Sequence, residues 1–201
     1  MDHVRIPHVN MCSKYTQVDP ETGAFHKPKK AQLTYGTMTF IRANIVRNSA
    51  IVVARAATVA IRYCAIRRQF MDKDAPQTDE RKPAESQVLN YQLVQYRLFP
   101  AFVTSLALNF TGRAMYKAYE ANVAAMAKGD FSSLAETHAS SCGLKSYSTI
   151  VTAEAIETCR RACGGHGFSS ASGLGEQYVN FLPQVCGICN FRLLCLMLRT
   201  H

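Results

Sequence analysis

The stretch TMTFIRANIVRNSAIVVARAATVAIRYCAIRRQF, Thr37 to Phe70, holds neither glycine nor proline. Within it Ile41, Ile45, Val52, Ala56, Val59, Tyr63, Ile66 and Phe70 recur at spacings of three, four or seven. Side chains so spaced share one helical face, which predicts a long helix over 38–70. Arg47, Arg55 and Arg62 fall off this stripe, on a wetter face or against a partner.

Beyond it, MDKDAPQTDERKPAE (71–85) carries two prolines and a run of charges, and reads as a linker. A second helix is expected over 86–128, with Leu89, Leu93, Tyr96, Val103, Ala107, Phe110 and Ala114 in period and Gly129 closing it. Pro100 removes one backbone donor in its middle and predicts a kink. A third helix is expected over 133–163, opened by a Ser133/Glu136 capping box and stopped by Gly164-Gly165. Its stripe reads Leu144, Tyr147, Val151, Ala155 and Thr158. Long helices on short loops pack antiparallel. Three make a thin core, so a fourth helix or another chain is expected to complete it.

Upstream, residues 4–35 have no helical period; Pro7, Pro20, Gly23 and Pro28 interrupt them. Val4-Arg5-Ile6 reads as strand, and Asp19 to Gly23 as a turn. From Phe168 onward the chain is first Gly- and Ser-rich, then apolar and Cys-rich. The expected fold class is mainly α: an antiparallel bundle over 37–183, a short β/loop remnant over 1–36, and a divergent tail over 184–201.

The 201 residues suit one domain, and 48% hydrophobic against 18% charged excludes a mainly disordered chain. A formal charge of +9 suggests an anionic partner without choosing among nucleic acid, a phosphate-rich cofactor, an acidic protein face and coenzyme A. The apolar run Ala50 to Ile66 is broken by Arg55 and Arg62, and Val185 to Leu198 by Arg192, so no membrane span is expected. No apolar segment follows the N-terminus as a signal peptide would require. Eight cysteines in such a chain read as reduced intracellular thiols.

Cys159, Cys163, His166, Cys186 and Cys189 offer soft zinc ligands, but Cys159 and Cys163 share one helical face, as buried thiols do. No metal is assigned. The basic residues lack aromatic interleaving or a recognition helix, so nucleic acid is not expected. Arg67-Arg68 are the exception, two guanidiniums beside an aromatic, suited to bidentate phosphate recognition. In Gly164-Gly165-His166-Gly167-Phe168 the glycines allow positive φ and close backbone approach, although a double glycine also simply ends helices. No nucleophile motif of a hydrolase is present. His26 and His138 stand isolated, structural or exposed.

Six segments together resemble the acyl-CoA oxidases: RIPHVNM (5–11), LTYGTM (33–38), AIRYCAIRRQF (60–70), QYRLFP (95–100), ETHASSCGLK (136–145) and CRRACGGHGFSSASG (159–173). The resemblance runs in order from Arg5 to Pro183. It implies a peroxisomal flavoenzyme of the acyl-CoA dehydrogenase superfamily, binding FAD between a β-domain and a helical bundle, as a homodimer. It also implies a glutamate that takes the α-proton of a fatty acyl-CoA while hydride leaves the β-carbon for the flavin. O2 then reoxidises the flavin and hydrogen peroxide forms. Arg67 would meet the FAD pyrophosphate, with Phe70 beside it, and Gly164, Gly165, His166 and Gly167 would form the turn facing the cofactor.

Three departures bear on activity. The family's N-terminal helical domain and most of its β-domain would precede Met1. Alignment through Pro183 puts Ile188 where the family's glutamate belongs, and no Asp or Glu follows Glu176. The second C-terminal helical domain and a Ser-Lys-Leu ending are also not in this sequence. The expectation is therefore an inactive fragment from a truncated gene model, an intron read-through or a frameshift, with no catalytic residue of its own. Alternatives are an acyl-CoA dehydrogenase passing electrons to a flavoprotein, or a non-catalytic helical interaction module.

Overall fold

With no helix breaker between Met38 and Ile66, the chain forms one unbroken helix, α1 (Gly36–Ile66). The computed structural model describes residues 2–13, 16–27, 36–71 and 85–186. After α1 come α2 (Gln92–Ala127), α3 (Leu134–Ala162), the single turn α4 (Gly165–Phe168) and α5 (Leu174–Cys186). Ahead of them, β1 (Gln17–Val18) and β2 (Phe25–His26) pair antiparallel around the expected turn. There Asp19 Oδ1 accepts the Glu21 amide at 2.9 Å, and Gly23 takes φ +70°. Val4 to Ile6 are exposed and belong to no strand, contrary to their pattern.

The three long helices run up, down, up. Arg42 Nη1 donates to His138 Nδ1 (3.3 Å) near the starts of α1 and α3, and Cys64 Sγ donates to the Ala162 carbonyl (3.7 Å) near their ends. α1 and α3 are therefore parallel. α2 runs against both: the Phe40 and Tyr119 rings meet 5.5 Å apart at one end, and Gln87, just before α2, donates to the Ala65 carbonyl at the other. A Cβ on Gly112 would sit 2.8 Å from the Arg47 Cα, so this glycine lets α2 cross close to the α1 backbone. α5 supplies the expected fourth element. It buries Leu174 and Phe181, and Gln177 Nε2 donates to the Val52 carbonyl at 2.7 Å.

The buried faces match the expected stripes only in part: Ala56 and Ala155 are buried as expected, and Val52, Val59, Tyr63 and Leu89 pack half-buried against the core. On α1 the core side is Ala43, Val46, Ala50, Val53, Ala57, Ala60 and Cys64, while Ile41 and Ile66 are exposed. Small residues face α2 and α3 because α1 lies against both, and close approach leaves no room for isoleucines. On α3 the core side carries Thr137, Ser141, Ser148, Thr149 and Thr152. The hydroxyls of Thr137, Ser141, Ser148 and Thr149 become tolerable there by bonding back to the helix, as Thr137 Oγ1 does to the Ser133 carbonyl at 2.8 Å, whereas the buried Thr152 hydroxyl makes no hydrogen bond among the described residues. On α2 the core takes Leu98, Ala101, Ser105, Leu108, Gly112 and Met115. The expected stripe of Leu93, Tyr96, Val103 and Phe110 points outward instead.

Two local expectations also change. α1 stops at Ile66, not Phe70, because residues 67–70 leave the helix to pair with 86–88. Ser133 does not cap α3 through its side chain; its hydroxyl donates to Asn122 Oδ1 at 3.0 Å, tying α3 to α2. Glu176, the last acidic residue of the chain, lies in the first turn of α5. By length and a mean hydropathy of 1.5, the segment Met38–Ile66 would suffice to cross a bilayer. Here its small-residue side is packed against α2 and α3.

Candidate functional site

The residues singled out for phosphate and cofactor gather at one end of the bundle, where α1 and α3 both finish. Arg67 follows α1 directly, and its amide still donates to the Tyr63 carbonyl at 2.8 Å. From there the backbone forms a short ladder with the segment before α2. Val88 N donates to the Arg67 carbonyl (2.9 Å), Gln69 N to the Ser86 carbonyl (2.9 Å) and Ser86 N to the Phe70 carbonyl (2.7 Å). Tyr91 Oη adds a bond to the Gln69 carbonyl at 2.8 Å. This pairing fixes the backbone beneath Arg67 and leaves its guanidinium exposed. Phe70 is exposed too and sits at φ +61°, a conformation that a bulky residue adopts only when its surroundings impose it.

α3 ends at the glycine turn. Gly164 takes φ 57° and ψ −136°, accessible to glycine alone, and this reverses the chain into α4. Cβ atoms built on Gly164 or Gly165 would meet nothing within 4 Å, so both backbones border open space. Gly167 differs: a Cβ there would lie 1.9 Å from the Arg160 carbonyl oxygen. Its missing side chain lets the turn close onto α3.

His166 joins the two ends. Its Nδ1 lies 3.0 Å from Tyr63 Oη, with ring centroids 5.2 Å apart. The sequence period assigns Tyr63 to the core stripe; in the fold it is half-buried and links α1 to the turn. Its position four residues before Arg67, one helical turn away, is the signal that could have marked it. Arg67, Phe70 and the turn Gly164 to Gly167 thus share one end of the molecule. Ile188 lies outside the described residues.

Beside the turn, a cleft of about 700 Å³ opens between α3 and α5, lined by Arg160, Gly167, Phe168, Ser169, Glu176 and Tyr178. Glu157 at its edge accepts from Arg160 Nε at 2.7 Å and Arg161 Nε at 2.8 Å. The Arg160 hydrogen bonds foremost, with those of Arg161, bring its carboxyl down to about 2. Glu157 is therefore an anionic tether for the end of α3.

The thiols here are core groups. Burial, with proximity to Cys163 and Cys64, pushes Cys159 up to about 12; burial and Cys64 push Cys163 up to about 11. Such thiols stay protonated and unreactive. Among the described residues no three of His, Cys, Asp and Glu group as metal ligands, and Cys189 lies outside them.

Known proteins resemble this chain over most of its length. The family described as Acyl-CoA oxidase, C-alpha1 domain, matches residues 35–197. Peroxisomal acyl-coenzyme A oxidase 1 of Rattus norvegicus is 44% identical over 183 residues, covering 91% of this chain and 26% of the rat protein. An acyl-CoA oxidase from Lycopersicon esculentum (tomato) superimposes with a TM-score of 0.82 at 38% identity, over 96% of this chain and 28% of that one. Acyl-CoA oxidase-2 of Caenorhabditis elegans, bound with FAD, ascaroside-CoA and ATP, gives 0.79 at 34% identity, over 92% and 27%. The chain spans about a quarter of the length of these relatives.

Proposed function

The chain belongs to the acyl-CoA oxidase family, and from that membership we propose that its bundle is the FAD-facing part of a peroxisomal acyl-CoA oxidase. The observation that carries the proposal is the convergence of Arg67, Phe70 and the Gly164–Gly167 turn at one bundle end, joined by the Tyr63–His166 contact. When bound, FAD supplies the hydride acceptor for oxidation of fatty acyl-CoA to trans-2-enoyl-CoA, with O2 reduced to hydrogen peroxide.

The chain's own groups fit such a cofactor. An exposed guanidinium on a pinned backbone can donate two parallel hydrogen bonds to a pyrophosphate without ordering further chain. Gly164 and Gly165 leave space in which a flat ligand can reach the backbone. Gly167 holds the turn against α3, and His166 is oriented by Tyr63 rather than by a carboxylate. Phe70 offers an apolar flank beside the phosphate site. The excess of positive charge suits both FAD and coenzyme A. The intact enzyme is proposed to act as a homodimer in the peroxisome.

Proton abstraction is what this sequence does not provide. A general base must stand roughly 3 Å from the proton it takes, and the position that the resemblance assigns to the family's glutamate is proposed to be Ile188, an alkyl side chain. The chain is proposed to hold flavin and not to turn over. Grafting residues 37–201 into the tomato enzyme tests both parts. The graft should retain flavin and make no peroxide from acyl-CoA, and Ile188→Glu should restore peroxide formation. Loss of flavin from a folded graft would remove the cofactor assignment. Peroxide from the unsubstituted graft would remove the assignment of the missing base.

A further inference from the structure

The contact that joins α1 to the glycine turn also decides where a proton sits. Tyr63 Oη lies 3.0 Å from His166 Nδ1. A phenol O–H is a far stronger acid than the N–H of a neutral imidazole, and an imidazole nitrogen is a far stronger base than a phenol oxygen. The favourable arrangement therefore has Tyr63 donating and Nδ1 accepting. A neutral imidazole carries one ring hydrogen, so with Nδ1 as the acceptor that hydrogen stands on Nε2. The two rings, 5.2 Å apart and inclined at 43°, hold the imidazole plane as well.

We propose that Tyr63 is a positioning residue that locks His166 as its Nε2–H tautomer, and so makes His166 a second donor, beside Arg67, to the diphosphate of the cofactor. The proposal rests on the assignment of this bundle end to FAD, and adds to it the tautomer and the residue that sets it. Tyr63 holds both donors. Its carbonyl accepts the Arg67 amide at 2.8 Å, and its hydroxyl reaches His166 from the same turn of α1.

The surroundings suit an anion. His166 is exposed, and its Nε2 has no hydrogen-bond partner among the described residues. Gly164 and Gly165, just before it, border open space. Residues 63–70 and 158–175 contain no Asp or Glu, and the Glu157 carboxylate is taken up by Arg160 and Arg161. Phosphate oxygens only accept, so an outward N–H matches them. The opposite tautomer would turn a lone pair on Nε2 towards the same oxygens and repel them.

Two measurements test it. The first needs no flavin: long-range proton–nitrogen correlation spectra of residues 1–201, labelled with nitrogen-15 histidine, at about pH 8 where an imidazole is neutral. His166, identified by its loss in His166→Ala, should show a protonated Nε2 and a hydrogen-bonded Nδ1 acceptor, and Tyr63→Phe should shift the Nδ1 resonance. A protonated Nδ1 in the wild-type chain, or an Nδ1 resonance unmoved by Tyr63→Phe, would overturn the lock whatever the flavin does. The second is FAD titration of the graft of residues 37–201, with folding checked by circular dichroism. Tyr63→Phe should weaken FAD binding about threefold to tenfold, the worth of a neutral hydrogen bond, and His166→Ala by at least as much. In the His166→Ala background Tyr63→Phe should have no further effect. Equal weakening in both backgrounds would mean that Tyr63 acts by packing alone, and would overturn the proposal. A graft that binds FAD with an affinity neither substitution changes would remove the second donor and leave the FAD assignment standing, whereas a folded graft that binds no FAD would overturn both.

Discussion

Substituting Gly167 by alanine tests whether the glycine turn is held against α3 as described. The added Cβ would stand 1.9 Å from the Arg160 carbonyl oxygen and 2.9 Å from its carbon. Both atoms are backbone within the last turns of α3, so no flexible side chain can swing aside. Either the turn lifts from α3 or the helix end distorts, and overpacking of this kind costs about 1–3 kcal/mol, with backbone obstruction at the upper end. For a domain of this size each 1 kcal/mol lowers Tm by about 2–4 °C, giving an expected loss of about 6–12 °C. Gly165→Ala is the control: its Cβ meets nothing within 4 Å and its φ is not positive, so its Tm should stay within about 2 °C of wild type. The assay is thermal unfolding followed by circular dichroism. Equal Tm values for the two variants would refute the close approach of the turn to α3.

Two further outcomes follow from the packing and the charges. Leu98→Ala, in the α2 core, should cost about 2–5 kcal/mol in urea unfolding, whereas Tyr96→Ala, on the outer stripe, should change the dilute protein by less than about 0.5 kcal/mol; the reverse order would mean that the core face of α2 is assigned wrongly. Glu157 has its carboxyl lowered from 4.5 to about 2 by Arg160 and Arg161, so its contribution is complete above pH 4.5 and lost as pH falls towards 2. With a partly exposed carboxylate the contribution is modest, and Glu157→Gln should flatten the acid limb of stability in that window and not above it.

Much of this architecture is legible from punctuation. The proline- and charge-rich stretch at 71–85, Gly129 and Gly164-Gly165 mark where helices stop, and the long segments between them can only be helices. Which faces are buried is only partly legible, because each helix departs from the apolar rule differently. α1 buries valines with alanines, serine and cysteine while Ile41 and Ile66 stay outside, α3 buries hydroxyls most of which bond to their own helix, and α2 carries two apolar faces of which the bulkier stays outside. The end of α1 at Ile66 depends on pairing with residues some twenty positions away, which no local pattern encodes. Ser133 has the right type and spacing for a cap, yet its hydroxyl serves Asn122 on a neighbouring helix.

The candidate site divides in the same way. Arg67, Phe70 and the glycines are visible as residue types and as a resemblance. The Tyr63–His166 link that joins them is not, because 103 residues separate its members. Gly167 reads as a cofactor-facing glycine in sequence and as a packing glycine in the fold.

Flavin retention is the measurement closest to the central claim. In the graft of residues 37–201, Arg67→Ala should weaken FAD binding by about tenfold to a hundredfold, the worth of a lost charge-assisted hydrogen-bonded pair. Arg81→Ala, in the charged stretch between the first two helices, should leave binding unchanged. Flavin absorbance after gel filtration and equilibrium fluorescence titration read the difference. Preferential loss of flavin from Arg67→Ala is the result expected; equal retention in the two variants would contradict the assignment of this bundle end to the FAD pyrophosphate.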